Sequence, residues 1–281
     1  MAFFPHNQKL FSFVLVIFTI SFLLLATELV NSDKTVSFDL TDYTSGEQNL
    51  TLQGNAIIHD THLELTSIED DPYANVGRAL YPTPVPIWDK TTGNVASFVT
   101  SFSFSLARFG SYPPADGLIF FLAPPNSVIP NSSIHGGDLG VIDDTTAFNR
   151  FVGVEFDNFV NEWDPNHSHI GIDVNSLISS KIGSWKSETG VLYNVRIIYD
   201  SLSKTLSVSL TDENGQVSTV AQVVDLKDVL PETVSIGLSA STSANLRQKH
   251  VIKTWSFNSI LKTTISSNIL ENTNHTAIRM S

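Results

Sequence analysis

Residues 96–106 read ASFVTSFSFSL, with Phe98, Phe102, Phe104 and Leu106 set apart by small polar residues. Apolar groups two apart share one face of an extended strand, so this segment calls for one buried face and one wet face. No long window of the chain carries a helical period. What recurs is short alternating segments separated by turn residues. Residues 35–40 open the series, and residues 50–65 read as two short strands around Gly54 and a polar turn near Asp60. Residues 76–87 end in prolines, which predicts an edge or rim position. The unbroken run LIFFL at 118–122 predicts burial on both faces. Residues 191–210 predict two strands about a turn at 200–204, and Asn214-Gly215 signals a type I′ turn within 211–220. Residues 225–231 predict a short helical turn, and 233–240 and 251–261 the final strands. The fold class that follows is all-β: a single sandwich of jelly-roll type, without internal repeats.

One strand carries unusual chemistry. In VGVEFD at 152–157, Val154 and Phe156 alternate with Glu155 and Asp157. The two carboxylates therefore point the same way, opposite to the core, and repel unless something positive lies between them. Asn161, Asp164 and His169 follow in a loop broken by Pro165, and an alternating Ile170, Ile172, Val174 resumes the strand. By residue type alone this is a solvated face. As a cluster, many oxygens and one imidazole suit Ca²⁺ beside a transition metal such as Mn²⁺.

A formal charge of −12 and a pI near 4.9 argue against nucleic acid as a partner. The chain has no cysteine, so core size and bound ions, not disulfides, must stabilise it. Lys9 followed by a nearly unbroken apolar stretch from 10 to 26 reads as a secretory signal, cleaved near Ser32. That predicts entry to the secretory pathway, ending outside the cell or in a storage vacuole. No later segment has the apolar length to insert in a membrane. The sequons at Asn49, Asn131, Asn166 and Asn274 are candidate glycosylation sites. The Ser-, Thr- and Asn-rich tail 263–281 reads as mobile or trimmed.

The run from Glu155 to Ser176, EFDNFVNEWDPNHSHIGIDVNS, resembles the metal loop of the legume lectins. The resemblance extends over residues 35–261, through TGNVASFVTSFSFSL, ADGLIFFLAP, AQVVDLKDVLPE and TWSF. It implies a lectin domain over residues 33–262, built as a flat back sheet, a curved front sheet and a small linking sheet. It implies two adjacent ions. Glu155, Asp157, Asp164 and His169 would hold Mn²⁺; Asp157, Asp164, Asn161 and the backbone carbonyl of Phe159 would hold Ca²⁺, the aspartates bridging.

A saccharide site needs an acceptor for paired hydroxyls, a donor, and an aromatic plate for the C–H face. Alone, Asp116-Gly117 reads as a turn, the Gly pair in GGDLG as a flexible loop, and Phe159 as core. The resemblance makes Asp116, behind a cis bond from Ala115, the acceptor. The N–H of Gly137 becomes the donor, Phe159 the plate, and Asn161 a bridge between calcium and sugar. Specificity would lie in the loop 241–249, STSANLRQK, with Ser243, Ala244 and Asn245 as contacts. Its spacing matches a galactose-binding member, although Ala244-Asn245-Leu246 replaces a glycine-rich run. The expectation is a galactose or N-acetylgalactosamine lectin that binds glycans or glycoproteins as a homodimer or homotetramer. A glucose/mannose lectin and a silent defence or storage protein are the alternatives. Retaining β-glucanases of similar fold carry E-x-D-x-x-E on one strand; here Val160 stands at the second glutamate, so that two-carboxylate chemistry is excluded and no enzyme is expected.

Overall fold

The structure, a computed structural model, describes residues 33–41, 43, 50–59, 61–67, 75–108, 113–130, 136–142, 150–243 and 246–263. The predicted signal segment, the tail beyond 263, Ala244, Asn245 and the sequons at Asn49, Asn131 and Asn274 lie outside these residues. Lys34–Leu261 forms one compact unit. Its strands in chain order are β1 (Lys34–Leu40), β2 (Thr51–Gly54), β3 (Ile57–His59), β4 (His62–Glu64), β5 (Asn75–Leu80), β6 (Val85–Pro86), β7 (Ser97–Arg108) and β8 (Gly117–Ala123). They continue as β9 (Val152–Asp157), β10 (His169–Val174), β11 (Lys181–Ser184), β12 (Leu192–Asp200), β13 (Thr205–Thr211), β14 (Val217–Val223), β15 (Thr233–Thr242) and β16 (Gln248–Leu261).

These strands make two antiparallel sheets, as the alternating pattern predicts. The first runs β14-β13-β12-β7-β16-β4-β3, with β1 also on β16. The second runs β11-β10-β9-β8-β15-β5-β2, with β6 also on β15. In β7 the side chains of Phe98, Thr100, Phe102 and Phe104 face inward and are buried. The inward Thr100 is satisfied: its hydroxyl donates to Ser256 O at 2.8 Å and accepts from Trp255 Nε1 at 3.1 Å. β8 is buried along its whole length because it is central and covered twice. Leu118, Phe120 and Leu122 enter the core between the sheets, while Ile119, Phe121 and Ala123 pack with Leu139, Phe151 and Leu177 on the other face.

Three sequence expectations need correction. Residues 50–65 hold three strands rather than two, and they divide between the sheets: β2 pairs with β5, β3 with β4. The crossing follows Gly54, whose φ of +62° and closeness to Val76 O leave no room for a Cβ. The segment 76–87 is not one edge strand: only its proline end is peripheral, where β6 pairs with β15 alone among the described strands. β5 lies between β15 and β2, and the prolines fall only after it ends. At Asn214-Gly215 only Gly215 has positive φ, +80°, and its N–H donates to Asp212 O at 3.0 Å. That is a three-residue loop with a glycine bulge, not a type I′ turn. The helical turn is present as α1 (Leu226–Val229), where Asp225 accepts from Lys227 N at 3.2 Å.

Candidate functional site

The chemistry converges on the end of β9. Asp157 lies opposite Gly117 of β8 on one side and His169 of β10 on the other; Glu155 lies opposite Ile119 and Gly171. Directly opposed residues present their side chains on the same face. Glu155, Asp157, His169 and Asp173 therefore share the face away from the core, and all four are buried. Gly171 makes the space: a methyl there would overlap Ser179 Oγ and Glu155 Oε1. On the inner face Phe156 meets Phe102 edge-on at 5.8 Å and Trp185 at 6.2 Å. The indole N–H of Trp185 donates to Asp157 O at 3.1 Å, so the core fixes the strand end that carries the carboxylates.

One ligand atom each from Glu155, Asp157 and His169 lies within 4.8 Å of the others. His169 Nε2 is 2.9 Å from Glu155 Oε1 and 3.9 Å from Asp164 Oδ1. The following loop folds back onto the cluster: Phe159 N donates to Asp157 Oδ1 and Asn161 N to Asp164 Oδ2, each at 2.7 Å. Burial first, then the charges of Glu155 and Asp164, pushes the Asp157 carboxyl up to about 9. Asp164 and Asp173 are raised too, chiefly by burial. Among the described residues no lysine or arginine is paired with these acids, and His169 is their one basic neighbour. A dry pocket of carboxylates with one imidazole is the donor set a divalent cation relieves. The residues fit Mn²⁺ and Ca²⁺.

Asp116 stands beside this cluster. It follows a cis peptide bond from Ala115, as the sequence led us to expect, and is buried. Its N–H donates to Ser241 O at 2.9 Å, and its carbonyl accepts from Asn158 N at 3.1 Å, which ties it to the loop after β9. Asp116 Oδ2 accepts from Ser243 Oγ at 2.9 Å, and Ser243 Oγ accepts from Gly136 N at 3.2 Å. Asp116 Oδ1 is buried with no hydrogen-bond partner among the described residues. Burial, with a lesser contribution from Asp138 and against the Ser243 hydrogen bonds, pushes this carboxyl up to about 6.

The structure thus brings together Asp116, Gly137, Asn161 and Ser243. A Cβ on Gly137 would lie 3.0 Å from Asn161 Nδ2, whereas one on Gly136 would overlap Asp116 Oδ2. The tightest approach is therefore at Gly136, one residue before the position that sequence suggested. Phe159 is half-buried, and Asn166 is exposed between Asp164 and His169. Three polar residues in this region escape sequence reading. Ser179 Oγ lies 2.5 Å from Glu155 Oε1 and 2.8 Å from Asp173 Oδ1, with one proton to share between them, and Ser241 donates to Gly136 O. Asp173 was legible by parity, since it sits four residues after His169 on the same strand. Ser179 carries no local signal, and Ser241 was singled out only as the first residue of the loop 241–249.

The sequence pattern of the legume lectin domain matches residues 35–273. A putative bark agglutinin of Robinia pseudoacacia is 50% identical over 264 residues, covering 94% of this chain and 96% of that protein. A galactose-binding lectin of Arachis hypogaea is 48% identical over 261 residues, covering 91% and 94%. Among solved structures, peanut lectin with a nonapeptide superposes with a TM-score of 0.78 at 49% identity, covering 82% of this chain and all of that one.

Proposed function

This chain belongs to the legume lectin family, and on that premise we propose that it is a metal-dependent lectin that takes galactose or N-acetylgalactosamine. The observation that carries the sugar site is Asp116 Oδ1, a buried carboxylate oxygen that no group among the described residues satisfies. Its partner oxygen is held by Ser243, so the free one has a fixed direction. A sugar with two neighbouring hydroxyls offers the donors it lacks. The N–H of Gly137 and the amide of Asn161, which lie against one another, would supply donors to the same ring. Phe159 would cover its C–H face.

Glu155, Asp157, Asp164 and His169 would hold Mn²⁺, and Asp157, Asp164, Asn161 and the Phe159 carbonyl Ca²⁺. When bound, the ions supply the positive charge that lets these buried acids stay ionised. The coupling to sugar runs through this chain's own bonds, from Asp157 along the strand end to Asn158 N and so to the carbonyl of Asp116. We read the protein as a binder and not an enzyme, because the position where a glucanase would carry its second carboxyl is the exposed Val160. The galactose preference draws support from the Arachis hypogaea relative, a galactose-binding lectin. Secretion after removal of residues 1–32 and glycosylation at sequons such as the exposed Asn166 belong to the same reading.

A glycan array read with Ca²⁺ and Mn²⁺ and again in excess chelator tests it. Terminal galactosides should give signal only with the ions. Retention of full signal in chelator would refute the metal dependence, and a mannoside-only profile would refute the sugar class.

A further inference from the structure

A second group of metal-ligating side chains lies on the other sheet. β3 and β4 form a tight hairpin in which His59 stands directly opposite His62. Their rings stack with centroids 5.0 Å apart. Glu64 follows His62 by two positions, on the same face of β4, and its side chain is almost fully buried. Both imidazoles turn the same nitrogen to the same oxygen: His62 Nε2 is 3.0 Å and His59 Nε2 3.4 Å from Glu64 Oε1. Thr61 Oγ1 lies 3.2 Å from His62 Nδ1, which engages the far side of that ring and keeps Nε2 toward the glutamate. The three ligand atoms lie within 4.8 Å of one another.

We propose that His59, His62 and Glu64 form a binding site for one divalent transition-metal ion of the Zn²⁺ or Cu²⁺ type. Two imidazoles and one carboxylate are a donor set that such ions prefer and that Ca²⁺ does not. Three protein ligands leave a fourth position for water. The site is separate from the Glu155 cluster, because β3 and β4 lie in the first sheet and β9 and β10 in the second.

Lys249 Nζ is 2.7 Å from the same Glu64 Oε1. It supplies the positive charge this oxygen would otherwise take from an ion. A metal must displace it, and the partly exposed lysine can swing to solvent. The ammonium is thus a built-in competitor that sets a modest affinity. Filling the site would cross-link β3 to β4 and release the Lys249 tie between Glu64 and β16.

Calorimetric titration with Zn²⁺, on protein held in saturating Ca²⁺ and Mn²⁺, tests the proposal. Wild type should take up one further equivalent. H59A/H62A should bind it at least tenfold more weakly, and K249M should bind it more tightly than wild type. The Cu²⁺ form should show an electron paramagnetic resonance pattern of two nitrogen ligands, absent from H59A/H62A. Equal Zn²⁺ affinity in H59A/H62A, no additional equivalent in wild type, or no tightening in K249M would each overturn it. Sugar binding by H59A/H62A should be unchanged, so failure here is distinct from failure of the lectin site.

Discussion

At Asp116, burial and function pull in opposite directions. Burial favours the protonated acid, with an effective value of about 6, yet accepting hydroxyls from a sugar requires the carboxylate. Sugar affinity should therefore be level above pH 7 and fall by up to tenfold per pH unit below about 6. Removing the neighbouring charge with D138N should move that midpoint to lower pH. A binding-versus-pH titration of both proteins reads the shift; coincident midpoints would detach Asp138 from the site. D116N keeps the shape but replaces one acceptor oxygen by a donor. It should lower affinity at least a hundredfold on a galactoside column while the melting temperature stays within a few degrees. Retained affinity would move the acceptor elsewhere.

β9 and β10 act as a unit because each of their faces has one task. The inner face gives Val154, Phe156, Ile170 and Ile172 to the core, and the outer face gives the acids and the histidine. Gly171 is the point where a single methyl sets these tasks against each other. G171A would push into both Ser179 Oγ and Glu155 Oε1, neither of which is on a flexible end free to leave. It should cut Mn²⁺ uptake at least tenfold by metal analysis after dialysis. F156A removes the ring that backs the same residues and should cost about 3–5 kcal/mol of stability by urea unfolding. A loss below 1 kcal/mol would mean that the strand is not fixed from behind. The parity of this strand was readable in VGVEFD, but which neighbour faced each acid was not. Register across strands far apart in sequence is settled by the whole sheet.

The metal-free and metal-loaded forms of the whole molecule should respond oppositely to acid. Without a cation the folded state holds the Asp157 proton up to about pH 9, whereas the unfolded chain releases it near 3.8. Between those values the folded state binds more protons, so stability falls as pH rises. From pH 7.5 to 5 this favours folding by about 3 kcal/mol at 1.4 kcal/mol per unit. Asp116, Asp164 and Asp173 add in the same direction. His250 opposes them: burial lowers it to about 3, so its neutral form costs about 2 kcal/mol at pH 5. The carboxylates outweigh it, and the metal-free protein should melt higher at pH 5 than at pH 7.5. With Ca²⁺ and Mn²⁺ the order should reverse, since protons then compete with the ions. At pH 7.5 each ion, at about a hundred times its dissociation constant, should add ~2.7 kcal/mol. That is roughly 5–10 °C for a domain of this size. Calorimetry at two pH values, with and without chelator, checks both slopes; parallel slopes would remove the ions from the cluster. We also expect a dimer or tetramer by light scattering. The outward face of the first sheet leaves Leu192, Ile198, Val217 and Val223 exposed around small polar residues.

The chain by itself determined its class and the identity of its donors. Alternation along β7 requires a half-buried strand wherever that strand goes, and the order of Glu155, Asp157, Asn161, Asp164 and His169 states a chemistry before any contact exists. Distance was decided only by folding. Asp116 meets Ser243 across 127 positions and Lys249 meets Glu64 across 185. The transfer of residues 50–65 between the sheets and the rescue of a buried carboxylate pair by Ser179 have the same origin. Local sequence sets what a residue can donate, accept or bury. Which partner it finds is fixed by closing two sheets over one core, a step that no short window of residues contains.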